Sequence, residues 1–388
     1  MKTEIWTAVW SVDTKIDEKG NRGNALGTLS MQERMNLLGA VVKQAYERIA
    51  GGFIRSLPDS ISDVPPRWAL MFVAPEYLFA RSDTAHLITE AEKREVVLRL
   101  QALSRHWPEL VLIPGTIAWK KPAVRPVDER FRKDPQTGKR TGSEKTRDRL
   151  GKFSERVTRE GVERRVLAEH VVDQRNAGLG PNARRLAETT RREDVIVERD
   201  KAVDDAARAV AKMKSNLALA PQHCFLARNT LYAFYNGAEV GRYHKRADYK
   251  EVFAGEDGGG FVIFEPGVPG DGCGSRFEVK GIRFGVEICK DHAVGYLSQR
   301  SIERPDVHVL VSAAVQLVEQ HVFVRPGSFL VHASSDPECS GVWRNTGAAV
   351  EKVAVEEEPT GFGGSKLLYA PLRFETAEVP RPELEWPV

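Results

Sequence analysis

Cysteine is scarce in this 388-residue chain: Cys224, Cys273, Cys289 and Cys339 stand far apart, and no C-x-x-C occurs. That spacing excludes a zinc knuckle and a thioredoxin-like redox motif, and a chain of this size can fold without disulfides. The thiols are therefore expected to be reduced and the compartment cytoplasmic. Long hydrophobic runs are missing too. The most apolar stretch, 307–324, is broken by His308, Gln316, Glu319, Gln320 and His321, which excludes a membrane-spanning helix. The start of the chain, with Glu4 close behind Met1, lacks the apolar segment of a signal peptide. Nor does charge of one sign prevail. Lys+Arg number 57 against 54 Asp+Glu, a net +3, so no global field calls for nucleic acid or an anionic membrane.

What is present is 41% hydrophobic and 29% charged residues, the balance of a globular protein with a substantial core. Glu4 to Ser11 reads as a first strand. Ser30 and Glu33 form a capping box opening an amphipathic helix that should end near Gly51-Gly52. The continuous apolar run Trp68 to Ala74 predicts a strand covered on both faces, and it stops at Pro75-Glu76-Tyr77. A second capping box, Thr89 and Glu92, opens a helix, and Leu110 to Trp119 reads as one further strand. Alternating strands and helices predict an α/β fold. Beyond the middle of the chain, Asn236-Gly237 predicts a hairpin between 223–235 and 238–245. Strands are expected at 261–264, 277–288, 306–313, 328–333 and 367–374.

Between these halves the composition changes. From Lys120 to Ser215 there are 26 Lys+Arg against 17 Asp+Glu, and the only aromatics are Phe131 and Phe153. This stretch is expected to be an inserted, charged, mainly helical segment within a single domain spanning 1–388, and 375–388 a C-terminal tail. The interleaved acids and missing aromatics argue against a nucleic-acid partner.

Chemistry-bearing residues recur at strand ends, where sites form in α/β sheets. Glu76 follows one strand, Lys245 ends the hairpin, and Cys289 ends the apolar run 282–288. A cysteine so placed is either core or a nucleophile. A nearby carboxylate can take its proton, and a lysine can hold a developing oxyanion. His292, three residues on, leaves a Cys–His pair open, with His308 as another histidine. Asp291 is read as structuring the turn and pairing locally. Tyr77, Phe79 and Trp119 could line a pocket or belong to the core.

Pro75-Glu76, Gly241-Arg-Tyr-His-Lys245 and Gly285-Val-Glu-Ile-Cys289-Lys-Asp291 resemble, in order, the three motifs of the nitrilase (carbon–nitrogen hydrolase) superfamily. The resemblance covers about 3–119 and 222–335. It implies an α-β-β-α sandwich whose protomers pair, and a site that needs neither metal nor organic cofactor. Carried over by position, Cys289 is the nucleophile, Glu76 the general base and Lys245 the oxyanion stabiliser. The Lys290 backbone N–H is a second oxyanion donor. Glu251, with Glu256 as rival, is a further glutamate. Tyr77, Lys290 and His292 are the substrate-binding candidates. Lys290 stands where nitrilases proper carry Trp-Glu, which favours a small-molecule amide or N-carbamoyl substrate over a nitrile. The alternative of another class is a non-catalytic interaction protein acting through 120–215.

Overall fold

A computed structural model describes residues 2–15, 25–56, 68–80, 87–122, 208, 212, 224–247, 261–267, 274–300 and 303–375. The charged segment expected at 120–215 and the tail expected at 375–388 lie almost wholly outside these residues, and Glu251 and Glu256 lie outside them too.

The mixed α/β expectation holds. Chain order runs β1 (Lys2–Ser11), α1 (Met31–Ser56), β2 (Trp68–Val73), β3 (Ile88–Thr89), α2 (Glu90–His106), β4 (Leu110–Ile113) and β5 (Thr116–Pro122). It resumes with β6 (Cys224–Tyr235), β7 (Ala238–His244), β8 (Phe261–Phe264), β9 (Arg276–Val279), β10 (Ile282–Ile288), α3 (Lys290–Ala293) and α4 (Tyr296–Arg300). Six strands close it: β11 (Val307–Ser312), β12 (Phe329–Ser334), β13 (Gly341–Asn345), β14 (Val350–Lys352), β15 (Glu356–Pro359) and β16 (Lys366–Glu375).

Two sheets form. One has the order β15-β16-β1-β2-β4-β6-β5-β3, with β7 and β8 also paired to β6; the other runs β14-β13-β12-β11-β10-β9. Strand alternation decides what each face meets. In the larger sheet Ile5, Val9, Met71, Val73, Val111, Ile113, Leu231 and Ala233 face the second sheet and pack on Phe284, Val286, Ile288, Val309, Val311 and Val331. Their neighbours Ala8, Trp10, Leu70, Phe72, Leu110 and Leu112 face the other way, onto Leu38, Val41, Val42 and Ala45 of α1 and Val96 and Leu100 of α2. Because both faces are covered, these strands read as unbroken apolar runs.

Local chemistry set several boundaries. Both capping boxes form: Ser30 with Glu33, and Thr89 with Glu92. Helix α1 does not stop at Gly51-Gly52 but continues to Ser56, since glycine weakens a helix without ending it. The single strand expected over Leu110–Trp119 is two. Pro114 has no N–H to give a ladder, and Gly115 takes φ +82, so β4 pairs with β2 while β5 turns to pair with β3. Likewise 277–288 is a hairpin, β9 and β10, turning at Lys280 and Gly281 with φ 52 and 77. The Asn236-Gly237 turn is formed as expected.

Candidate active site

Strands β1, β2 and β4 run parallel in one sheet, and β10, β11 and β12 in the other. Their carboxyl ends bring together the segments after β2, β10 and β11, with the end of β7 beside them.

Glu76, completely buried, is at the centre. Its Oε1 accepts from the Asn229 amide at 2.8 Å and the Lys245 ammonium at 2.9 Å, and its Oε2 accepts from the Ala313 N–H at 2.9 Å. The backbone is held as firmly. The Glu76 N–H donates to the Ser312 carbonyl at 3.4 Å, its carbonyl accepts from the Thr14 hydroxyl, and the Tyr77 N–H donates to Thr116 Oγ1 at 3.2 Å. Gly115 is required here, because a Cβ would lie 2.1 Å from the Pro75 carbonyl oxygen. Three donors from three elements therefore converge on one carboxylate and leave it little freedom.

Lys245 follows β7 and is 1% exposed. Its N–H donates to the Asn229 carbonyl at 2.9 Å and its carbonyl accepts from Gly267 at 2.9 Å. Asn229 of β6 thus fixes both the lysine and the carboxylate that it pairs with. No site role was read for Asn229, or for Ala313, from the sequence. The signal was there for Asn229: an amide inside a buried strand must find partners.

Cys289 directly follows β10, at 8% exposure. Its φ of 47° and ψ of −107° lie where few side-chain-bearing residues go. The Cys289 N–H donates to the Val311 carbonyl at 2.9 Å, and its carbonyl accepts from the His292 N–H at 3.0 Å. It is therefore held against Val311 of β11, which lies two residues before the Ala313 that holds Glu76. A strained strand-to-helix turn is how a backbone thrusts a nucleophile outward.

Asp291 closes the arrangement from the other side. Rather than pairing locally, it accepts from the Tyr243 hydroxyl at 2.8 Å and from the Ala247 N–H at 2.6 Å and the Arg246 N–H at 3.2 Å, next to Lys245. The turn after the thiol is thereby tied to the end of the hairpin carrying the lysine. Burial raises Asp291 to about 7 against the pull of the Ala247 N–H and the Lys245 ammonium. Burial, with Asp291 beside it, pushes the Tyr243 phenol up.

No family model matches the sequence, and no curated protein matches it. Among solved structures it is similar to a carbon–nitrogen hydrolase from Helicobacter pylori, at 10% identity and a TM-score of 0.42, over 95% of this chain and 88% of that one. It is also similar to an amidase of the nitrilase superfamily from Nesterenkonia sp. AN1, at 10% identity and a TM-score of 0.36, over 95% and 90%. A CN-hydrolase superfamily protein from Xanthomonas campestris aligns at 8% identity and a TM-score of 0.36, over 96% and 91%.

Tyr77, with φ 62, packs with Ala80, Leu87, Ala118 and Ala227, Val262 and Ala313 lying against them, so a small apolar wall adjoins Glu76. Phe79 and Trp119 belong to the buried core. Lys290 is half-buried at the first position of α3. His292 is completely buried, with its ring directed at Glu287 and not at an open surface. Among the described residues no helix is long and apolar enough to cross a membrane.

Proposed function

We propose that the chain is a thiol hydrolase that cleaves an amide-type carbon–nitrogen bond at Cys289, on a nitrilase-type α-β-β-α sandwich. The observation that supports this best is the buried Glu76 carboxylate, paired with Lys245 at 2.9 Å and tied through Ala313 to the strand beside Cys289. A base, a cation and a thiol at adjoining strand ends form the set that nucleophilic catalysis requires.

In this reading Glu76 takes the Sγ proton as the sulfur attacks the carbonyl carbon. A C–S bond forms, and the carbonyl π electrons move to oxygen. Lys245 and the Lys290 backbone N–H stabilise that oxyanion, each such donor contributing about 3–4 kcal/mol in the transition state. Glu76 then passes the proton to the substrate nitrogen, the C–N bond breaks, and ammonia or an amine leaves a thioester on Cys289. Water, deprotonated by Glu76, attacks the thioester carbon. The C–S bond breaks, the acid departs and the proton returns to sulfur. No redox step or metal is needed. In the same reading the small apolar wall that includes Tyr77 meets the acyl portion. The same reading expects protomers to pair, which sedimentation equilibrium tests.

Mass spectrometry of Cys289 after exposure to amides, N-carbamoyl compounds and nitriles tests the chemistry. An acyl adduct on Cys289 that hydroxylamine removes, and whose formation Cys289→Ala abolishes, is the expected result. Release of ammonia by Cys289→Ala at the wild-type rate would overturn the reading.

A further inference from the structure

The outer face of the six-stranded sheet carries polar groups where a buried face is ordinarily apolar. Glu287 on β10, His308 and Ser312 on β11, and His332 and Ser334 on β12 all point outward, and each is completely buried. Glu287 is the hub. Its Oε2 accepts from His292 Nδ1–H at 2.9 Å and His308 Nε2–H at 3.0 Å, and its Oε1 accepts from the Leu297 N–H of α4 at 2.6 Å. The second nitrogen of each ring is also engaged. The Val318 N–H donates to His292 Nε2 at 3.1 Å, and the Phe323 N–H to His308 Nδ1 at 3.3 Å.

These ligand-type atoms lie within 4.8 Å of one another, the grouping of a metal site. The second nitrogens decide otherwise. A metal-bound neutral imidazole presents its other nitrogen as an N–H donor. Here both second nitrogens face backbone donors, so each must be an acceptor, and the proton must be on the nitrogen facing Glu287. The charges of the cluster agree: the two histidines hold Glu287 well below the usual carboxylate range, in spite of its burial. Burial likewise holds His308 below the ordinary imidazole value.

The cluster touches both sides of the site. His292 donates its backbone N–H to the Cys289 carbonyl, and its own carbonyl accepts from His321 Nδ1–H at 2.7 Å. Val318, His321 and Phe323 belong to the segment that leaves β11 at Ala313, the residue whose N–H holds Glu76. We propose that Glu287, acting through His292 and His308, is a positioning residue that fixes the turn after Cys289 and the 313–323 segment, and so sets the thiol against Glu76. The kinetic consequence rests on the acyl-transfer reading of Cys289; the consequence for thiol reactivity does not.

The test uses the full chain with Glu287→Gln, whose amide must place a donor against a His N–H or the Leu297 N–H. Iodoacetamide alkylation of Cys289 is timed well below the unfolding temperature, beside kcat and KM on the best amide of the panel. Alkylation and kcat are each expected to fall roughly tenfold or more, with KM within about threefold of wild type, as for a displaced reacting group. His308→Leu should behave like Glu287→Gln. His308→Gln, which keeps a donor at the Nε2 position, should return to within about threefold of wild type. A purely structural role would lower the unfolding temperature yet leave both rates of the folded protein within about twofold, and that result overturns the proposal. If Glu287→Gln does not fold, the two His308 variants carry the same comparison. Should wild type turn over no amide while alkylation still slows tenfold in the variants, the acyl-transfer reading fails and the positioning role stands. Zinc retained one-to-one after dialysis against a chelator, and lost in Glu287→Gln, would also overturn it.

Discussion

Glu76→Gln is the most direct probe of the site, because it removes a charge while keeping the shape. Three donors meet the carboxylate: Asn229 Nδ2 and Lys245 Nζ on Oε1, the Ala313 N–H on Oε2. A glutamine cannot satisfy all three. With its amide nitrogen at the Oε1 position it confronts two donors, and turned over it confronts Ala313. Either way the Lys245 ammonium, 1% exposed, loses the carboxylate charge that it meets at 2.9 Å. Breaking a buried pair from one side costs about 3–5 kcal/mol, mainly through the uncompensated charge left behind. Replacing both charges costs far less, so Glu76→Gln/Lys245→Met should recover to within about 2 kcal/mol of wild type. Urea unfolding of wild type, both single variants and the double variant gives these differences from the midpoints and slopes. A Glu76→Gln protein within about 1 kcal/mol of wild type, or a double variant no better than the single, would refute the idea that the two buried charges depend on one another.

Cys289 predicts a trade of stability against reactivity. Relieving φ 47 with glycine should make Cys289→Gly about 1 kcal/mol more stable than Cys289→Ala by thermal unfolding, with thiol alkylation lost in both. Gly115→Ala should lose at least about 2 kcal/mol in the same assay and depress turnover, since its Cβ meets the Pro75 carbonyl immediately before Glu76. A pH series of urea unfolding should show stability falling in acid. Burial holds His244 at about 2 and His332 at about 3, and also lowers His308, so below 6.5 the unfolded chain binds protons that the native state refuses. Asp291, raised to about 7, works in the opposite sense from there down to the ordinary aspartate value of 3.8 and offsets one of those protons. From His244 and His332 against Asp291 the net slope near pH 5 is on the order of 1.4 kcal/mol per pH unit, the lowered His308 steepens it, and His332→Asn should reduce it by about 1.4. A flat profile between pH 6.5 and 4 would refute this.

Legibility in the sequence followed the range of the interaction. Capping boxes and the Asn236-Gly237 turn are read from adjacent residues, and they are where they were expected. The apolar runs of β2, β10 and β11 also declared themselves, because each is buried on both faces. Strands β13, β14 and β15 were not visible. Glu356–Pro359, three acids and a proline, pairs only because β16 offers it an edge. At the site, the positions of Glu76, Lys245 and Cys289 at strand ends could be read directly. The partners that hold them could not: Asn229 lies 153 residues from Glu76 and Ala313 lies 237, and only the assembled sheets bring them within reach. Asp291 shows the same limit, since its partners are about 45 residues upstream.

The pairing of β1 has a consequence for synthesis. It takes β2 along one edge, but its other edge pairs with β16 in ten successive positions, from Lys2 with Glu375 to Ser11 with Lys366. β1 therefore emerges from a ribosome long before β16, the strand that completes its ladder. At ordinary elongation rates that delay is roughly 20–70 s. Throughout it, the backbone donors and acceptors of an apolar strand edge stay open to any other nascent strand. Yield in the cell should therefore depend on what shields residues 2–11 during translation, and not only on the stability of the finished protein.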